Sequence, residues 1–147
     1  MESIRRLIEE QNVVALNHLV GCTDQEIEEL MADQEVARLP LSYKWFLRTM
    51  GRDAGPILRG SQAFFPQLLG MKSAGIELLS ENNAKETLGP DSFVIGLHQG
   101  YQLFWLSSVA DSEPAVLMFQ EGERVHSRKW NNFEAYLTDV VSGLGRK

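Results

Sequence analysis

Leu39-Pro40-Leu41-Ser42-Tyr43-Lys44-Trp45-Phe46-Leu47-Arg48-Thr49-Met50-Gly51 is the stretch from which the rest of the chain can be placed. It reads as a short helix with a marked start and a marked stop. Pro40 suits the first turn, where its missing N–H has no intrahelical partner to lose. Gly51 follows the last apolar residue, where glycine accommodates a left-handed cap at little cost. Between them Tyr43, Phe46, Leu47 and Met50 fall at i, i+3, i+4 and i+7, which is one helical face. Trp45 points about one helical step away from that stripe. Spacing of this kind describes packing and carries no chemistry of its own.

Toward the N-terminus, Thr23 begins a Thr-x-x-Glu sequence with Glu26, the signature of a capping box. Ile27, Leu30 and Met31 supply the apolar stripe of a helix running to about Gln34. Further upstream, residues 2–20 predict an amphipathic helix with Ile4, Leu7, Ile8, Val14, Ala15 and Leu19 near one face, broken near Asn12. Gly21-Cys22 separates the two. Toward the C-terminus, residues 51–65 are punctuated by Gly51, Gly55, Pro56 and Gly60. Ile57-Leu58 and Ala63-Phe64-Phe65 are expected as short strands there. Pro66 is expected to open a helix carrying Leu68, Met71, Ile76 and Leu79, which Gly70 and Gly75 weaken by about 1 kcal/mol each relative to alanine. Residues 80–92 form a polar loop ending in a Gly-Pro turn.

From Phe93 the period changes. Phe93–Leu97, Tyr101–Leu106 and Ala115–Phe119 read as strands, with Gln99-Gly100 and Glu121-Gly122-Glu123 as turns. Arg124–Arg128 reads as a polar fourth strand nearer an edge. The second and third runs are apolar at consecutive positions, so both faces of the sheet are expected to be covered. Short connections imply an antiparallel meander, with a mixed sheet as the alternative. A last helix is capped by Asn131 or Asn132. Its stripe is Phe133, Tyr136, Leu137, Val140, Val141 and Leu144. The fold class is therefore α+β: N-terminal helices packed on the sheet, then a C-terminal helix.

Composition sets the outer bounds. A chain of 147 residues is expected to form a single domain over 1–147. Such a domain buries roughly 68–70% of its chain surface, enough for a core without staples. Cys22 is the only cysteine, so no internal disulfide forms, and a reducing cytoplasm fits. No apolar run has the length of a signal peptide core or a membrane span. The net charge of −6 argues against a nucleic-acid partner, which calls for a basic footprint. The charge is uneven: Asp24, Glu26, Glu28, Glu29, Asp33 and Glu35 lie between Thr23 and Glu35 with no base among them. That run reads either as a solvated helix face or as a surface that attracts a basic partner.

Residues with catalytic or ligating chemistry do not form a pattern. His18, His98 and His126 are in no metal-ligand spacing, and HExxH and CxxC are both absent, so no metal or other cofactor is expected. His98 reads as a turn residue and His126 as exposed on the polar strand. Cys22 has no nucleophile signature around it and reads as a buried or capping thiol. There is no Gly-x-Ser-x-Gly elbow. Gly51-Arg52-Asp53-Ala54-Gly55 lacks the Gly-Lys-Ser/Thr of a phosphate loop and reads as a turn. Trp45 and Trp130 are expected in the core or at its boundary, with an exposed tryptophan as the sharper possibility of a partner anchor.

The order of these signals carries a resemblance. An acidic Thr-x-x-Glu-Ile helix leads into Leu-Pro-x-x-Tyr-x-x-Phe-Leu-x-x-x-Gly, then a meander, then a helix opening Asn-Phe-Glu-Ala-Tyr-Leu. This resembles the SUKH superfamily, the domain shared by fungal regulators of cell-wall synthesis and many bacterial proteins. The matching positions are Ile27, Leu39, Pro40, Tyr43, Phe46, Leu47 and Gly51, then Val94, Ile95, Gly96 and Gly100, then Phe133, Tyr136 and Leu137. The resemblance covers about Thr23 to Val141.

The resemblance implies a non-enzymatic protein-interaction module, and the lone cysteine and the lack of a signal or membrane run make the cytoplasm its expected location. Its bacterial members are mostly immunity proteins that bind and block a toxin, often a nuclease. A regulatory or scaffold role in envelope synthesis is the alternative within the same class. A small ligand-binding protein or hydrolase is the alternative outside it, resting only on the irregular Gly51–Phe65 loop beside a sheet. The partner expected is a protein, a basic toxin foremost, with no nucleic acid and no membrane. The residues expected to meet it are Asp24, Glu28, Glu29, Asp33 and Trp45.

Overall fold

The computed structural model describes residues 1–145. Helix α3 (Leu41–Met50) starts directly after Pro40, whose carbonyl accepts from the Lys44 N–H at 3.0 Å. Tyr43, Phe46, Leu47 and Met50 are all at most 1% exposed, as the spacing requires. Their rings meet others from distant parts of the chain. Tyr43 lies edge-on to Phe93 at 5.5 Å and to Phe133 at 5.1 Å, and Phe46 to Phe133 at 5.5 Å. Such pairs favour edge-to-face geometry because the ring edge is positive and its face negative. One helix thereby ties the sheet to the C-terminal helix.

The stop of α3 differs from the expectation. Gly51 has φ −68°, an ordinary right-handed value and not a left-handed cap. Glycine is required there for space. A Cβ would lie 2.5 Å from the Leu47 carbonyl oxygen and 2.6 Å from Cys22 Sγ. The chain before α2 (Asp24–Asp33) runs across the end of α3 at this point. Cys22 N–H donates to Leu47 O at 2.7 Å, and Val20 exchanges bonds with Arg52 and Asp53. The α2 capping box forms in full, with Thr23 Oγ1 accepting from the Glu26 N–H at 3.1 Å and Glu26 Oε1 from the Thr23 N–H at 2.9 Å.

Upstream, α1 covers only Glu2–Glu10. The expected break is real, since Asn12 has φ 50°. Beyond it the chain is not helical as expected over the whole of 2–20 but holds a single 3-10 turn, Leu16–His18. The strands proposed at Ile57-Leu58 and Ala63–Phe65 do not form. The only strand there is β1 (Ser61–Gln62), and Leu58 sits in a turn with φ 58°. The next helix, α4 (Met71–Glu81), opens at Met71 and not at Pro66, because Gly70 takes a left-handed φ of 83°.

The sheet is fully antiparallel in the order β1-β2-β3-β4-β5, with β2 at Phe93–His98, β3 at Gln102–Leu106 and β4 at Val116–Gln120. β5 is Arg128–Trp130, an edge strand as expected but later than the proposed Arg124–Arg128. Residues 121–127 are held instead by the loop after α4: Gly122 N–H donates to Asn82 Oδ1 at 2.8 Å and Lys85 N–H to Arg124 O at 2.7 Å. Helix α5 (Phe133–Gly145) is capped by Asn132, whose Oδ1 accepts from the Ala135 N–H at 2.8 Å.

Both faces of the sheet are covered. Leu103 packs against Gly75 of α4, where a Cβ would lie 3.1 Å from it. On the other face Phe104 meets Tyr136 of α5 at 5.4 Å. Helices α1 and α3 close over α5.

One buried polar side chain belongs to this architecture. Gln34, 1% exposed, donates from Nε2 to Val94 O at 2.8 Å and accepts at Oε1 from the Val94 N–H at 2.7 Å. Val94 pairs with Trp105, and β1 reaches only Leu97 and His98. The outward backbone groups of Val94 would therefore be orphaned, at a cost of about 1–3 kcal/mol each. The Gln34 amide takes the place of the missing strand.

Candidate functional site

The acidic run divides by position on α2. Ile27 and Leu30 face the core, which fixes the remaining residues outward. Asp24 pairs with Arg48 at 3.2 Å, both exposed. Glu26 forms a forked pair with Arg52, which also lies 5.1 Å over the Phe65 ring. That hydrogen bond, together with the Thr23 N–H, holds the Glu26 carboxyl down at about 2. Both acids also sit in the first turn, where the helix dipole favours them. Asp33, at the far end, accepts from the Gly70 N–H at 2.9 Å. Glu28 and Glu29 remain exposed beside Gln25 and Phe65.

Trp45 is half-buried on the outer side of α3. It shares a shallow depression with Met1, Ser42, Glu113 and Leu41, and Leu41 is 81% exposed. Arg48, the partner of Asp24, lies one turn further along the same side. The structure thus links Asp24 and Trp45 through α3. Glu28 and Glu29 stand on the solvent side of α2. Asp33 lies about 13 Å from Asp24 along the helix and is turned toward the loop at Gly70. The five residues singled out in the sequence are spread over two neighbouring helices and do not converge on one point.

A groove elsewhere was not signalled by any motif. Beside α5, a cleft of about 550 Å³ opens on the face carrying Phe104, Met118 and Trp130. Gln102 and Gln120 stand at its sheet end, Arg128 and Asp139 on one wall, and Leu58 and Arg59 on the other. Asp139 Oδ2 accepts from Trp130 Nε1–H at 2.8 Å and lies 3.5 Å from Arg128. Arg128 is stacked over the Trp130 indole at 4.4 Å. The only sequence trace is the same-face placement of Gln102 and Phe104 opposite Gln120 and Met118 in the ladder.

The cleft also holds Ser61 Oγ and His98 Nδ1, 2.8 Å apart. They are direct cross-strand partners of β1 and β2, so a tie across the ladder accounts for the bond. No carboxylate hydrogen-bonds to His98 among the described residues, so the arrangement lacks the orienting third group of a hydrolytic triad. His98 is therefore a strand-end residue. His126 lies in the 121–127 turn and not on a strand, bonded at Nδ1 to Glu86 Oε1 at 2.6 Å. Cys22 is buried, and that burial, with Glu26 nearby, pushes its thiol up to about 11. Among the described residues no three His, Cys, Asp or Glu side chains gather as a metal site. No helix among them is long and apolar enough to cross a membrane.

The fold is an α+β layer structure, a five-stranded antiparallel meander flanked by helices, with the Leu39–Gly51 motif as the pin between layers. The chain belongs to the SMI1/KNR4 family (SUKH-1), whose model matches residues 21–139. No curated protein matches it. Of the positions that carried the resemblance, all but Gly100 are buried. The signature of the family is its core.

Proposed function

We propose that the chain is a non-enzymatic interaction module that binds a protein partner, and that the partner is a bacterial toxin neutralised in the cytoplasm. Glu28 and Glu29 carry the reading. They stand exposed on α2 while the acids at either end of the helix are tied to Arg48, Arg52 and Gly70. An acidic face of this kind suits a basic toxin such as a nuclease, because complementary charge raises the encounter rate. Trp45 and Leu41 on the neighbouring helix offer apolar area for an anchor, the kind of contact that sets the off-rate. A regulatory role in envelope synthesis belongs to the same interaction class and differs only in the partner.

The test is co-purification of the tagged chain with the product of the gene beside its own, followed by toxicity rescue. Glu28→Lys with Glu29→Lys is expected to slow association about tenfold at low salt and to flatten its salt dependence. Failure to bind or rescue any neighbouring gene product overturns the immunity role. An unchanged on-rate retires this face as the contact.

A further inference from the structure

The groove beside α5 has a character opposite to that of α2. The protein has 20 acidic and 14 basic residues. Yet among the described residues Asp139 is the only carboxylate lining the cleft, and Trp130 and Arg128 already engage it. A second cleft of about 670 Å³ adjoins the first, sharing Leu58, Arg59 and Val140, and no Asp or Glu lines it among the described residues. Arg59 stands at the junction and enters no ion pair among the described residues.

We propose that this continuous groove docks an extended peptide segment of a protein partner, one carrying carboxylates beside aromatic or large apolar side chains. The floor suits apolar side chains: half-buried Phe104 packs on Trp130 and Tyr136, which are buried behind it and meet edge to face at 4.9 Å. The walls suit carboxylates, because a guanidinium presents paired donors matched to carboxylate geometry. Arg128 is held in place by its stack on Trp130 and its contact with Asp139, so less side-chain entropy is lost when it binds. Gln102 and Gln120, joined Nε2 to Oε1 at 3.3 Å, place amide groups where a peptide backbone needs partners.

Shape favours a chain over a compact ligand. The first cleft alone would hold a small molecule, but its open continuation along Leu58 and Val140 adds length that only an extended segment fills. Addition of a strand at a sheet edge is a poorer fit, because β1 and β5 offer two and three residues of ladder.

The probe is a fluorescein-labelled hexapeptide of alternating Glu and Phe, followed by anisotropy. Its Lys-Phe and Glu-Ser counterparts separate charge from apolar contact. The Glu-Phe peptide is expected to saturate the protein, and each counterpart to bind at least about tenfold more weakly. Arg59→Glu, at an exposed turn, is expected to weaken the Glu-Phe peptide about tenfold. Arg59→Glu with Arg128→Glu is expected to turn the preference toward Lys-Phe. Circular dichroism confirms that each variant is folded, and the single variant suffices if the double is not.

No saturation below about 1 mM, equal binding of the Lys-Phe peptide, or undiminished binding to Arg59→Glu overturns the proposal. So does phenylacetate binding as tightly as the peptide, which makes the groove a small-molecule pocket. An acidic probe is repelled by α2. Failure here therefore leaves the toxin-binding reading untouched, and failure of that reading leaves the groove intact.

Discussion

Helix α3 has two sides, and they do different things. The inner side, Tyr43, Phe46, Leu47 and Met50, is closed to water and touches rings from β2 and α5. The outer side carries exposed Leu41, half-buried Trp45 and Arg48 in its contact with Asp24. The inner side is the motif by which the family is recognised, and it is out of reach of any partner. The outer side, with α2 beside it, is where a partner could act. A signature made of core residues identifies a fold and is silent about what the surface binds.

The contrast between the two sides is broken most directly by truncating one residue from each. Phe46→Ala removes a ring that packs on Tyr43, Phe64 and Phe133, and is expected to cost about 3–5 kcal/mol. Trp45→Ala removes a larger ring from the outer side and is expected to cost about 1 kcal/mol or less. Urea denaturation with an unchanged m-value measures both. Equal costs would mean that Trp45 is structural, and it would then be withdrawn as a partner anchor.

The Gln34 amide tests how far the inner side depends on a polar plug. Gln34→Leu keeps roughly the volume but leaves the Val94 N–H and C=O without their partners. The expected loss is about 2–4 kcal/mol, read from the denaturation midpoint. A loss below about 0.5 kcal/mol would show that water reaches Val94 and that the sheet is open there.

These two residues also show what could be read in advance. Phe46 was legible because its neighbours on α3 repeat at helical spacing, a purely local signal. The capping box at Thr23 was legible for the same reason, and so was a cap at Asn131 or Asn132, of which the structure uses Asn132. Gln34 was not, because its partner lies sixty residues away and nothing in a Gln at a helix end announces a missing strand. Gly51 was recognised as the stop but for the wrong cause. Its role depends on Cys22 passing across the helix end. Arg124–Arg128 reads as a strand by composition, yet Lys85 and Glu86 hold residues 124–126 off the sheet, and the strand begins only at Arg128. The acidic face was visible as a run of letters. The groove was not, since Arg59, His98, Gln120, Arg128 and Asp139 come together only after folding.

The corner where α2 meets α3 has its own signature in pH. Arg52 and the Thr23 N–H lower the folded-state pKa of Glu26 from 4.5 to about 2. The unfolded chain therefore binds more protons than the folded one between those values. Stability from this group is fully present above about 4.5 and is lost as the pH falls toward 2. Glu26→Gln keeps an oxygen for the Thr23 N–H and removes the titration. Its melting temperature is expected to fall less steeply below pH 4.5 than that of the parent. Parallel acid limbs would mean that Arg52 holds Glu26 too loosely in solution to matter.

The smallest effect concerns the hydroxyl at the centre of the inner side. Tyr43 is fully buried, and its OH finds no protein partner among the described residues. Burial also raises its pKa, so the group stays a neutral phenol. An unpaired buried hydroxyl is unfavourable, while the ring contacts with Phe93 and Phe133 need only the ring. Tyr43→Phe is therefore expected to leave the fold unchanged and to raise stability by up to about 1 kcal/mol. The sign decides what the motif position is for. A gain means that the hydroxyl is tolerated in a site built for an aromatic ring. A loss beyond about 1 kcal/mol means that an ordered water pairs with it and that the core at α3 is wet.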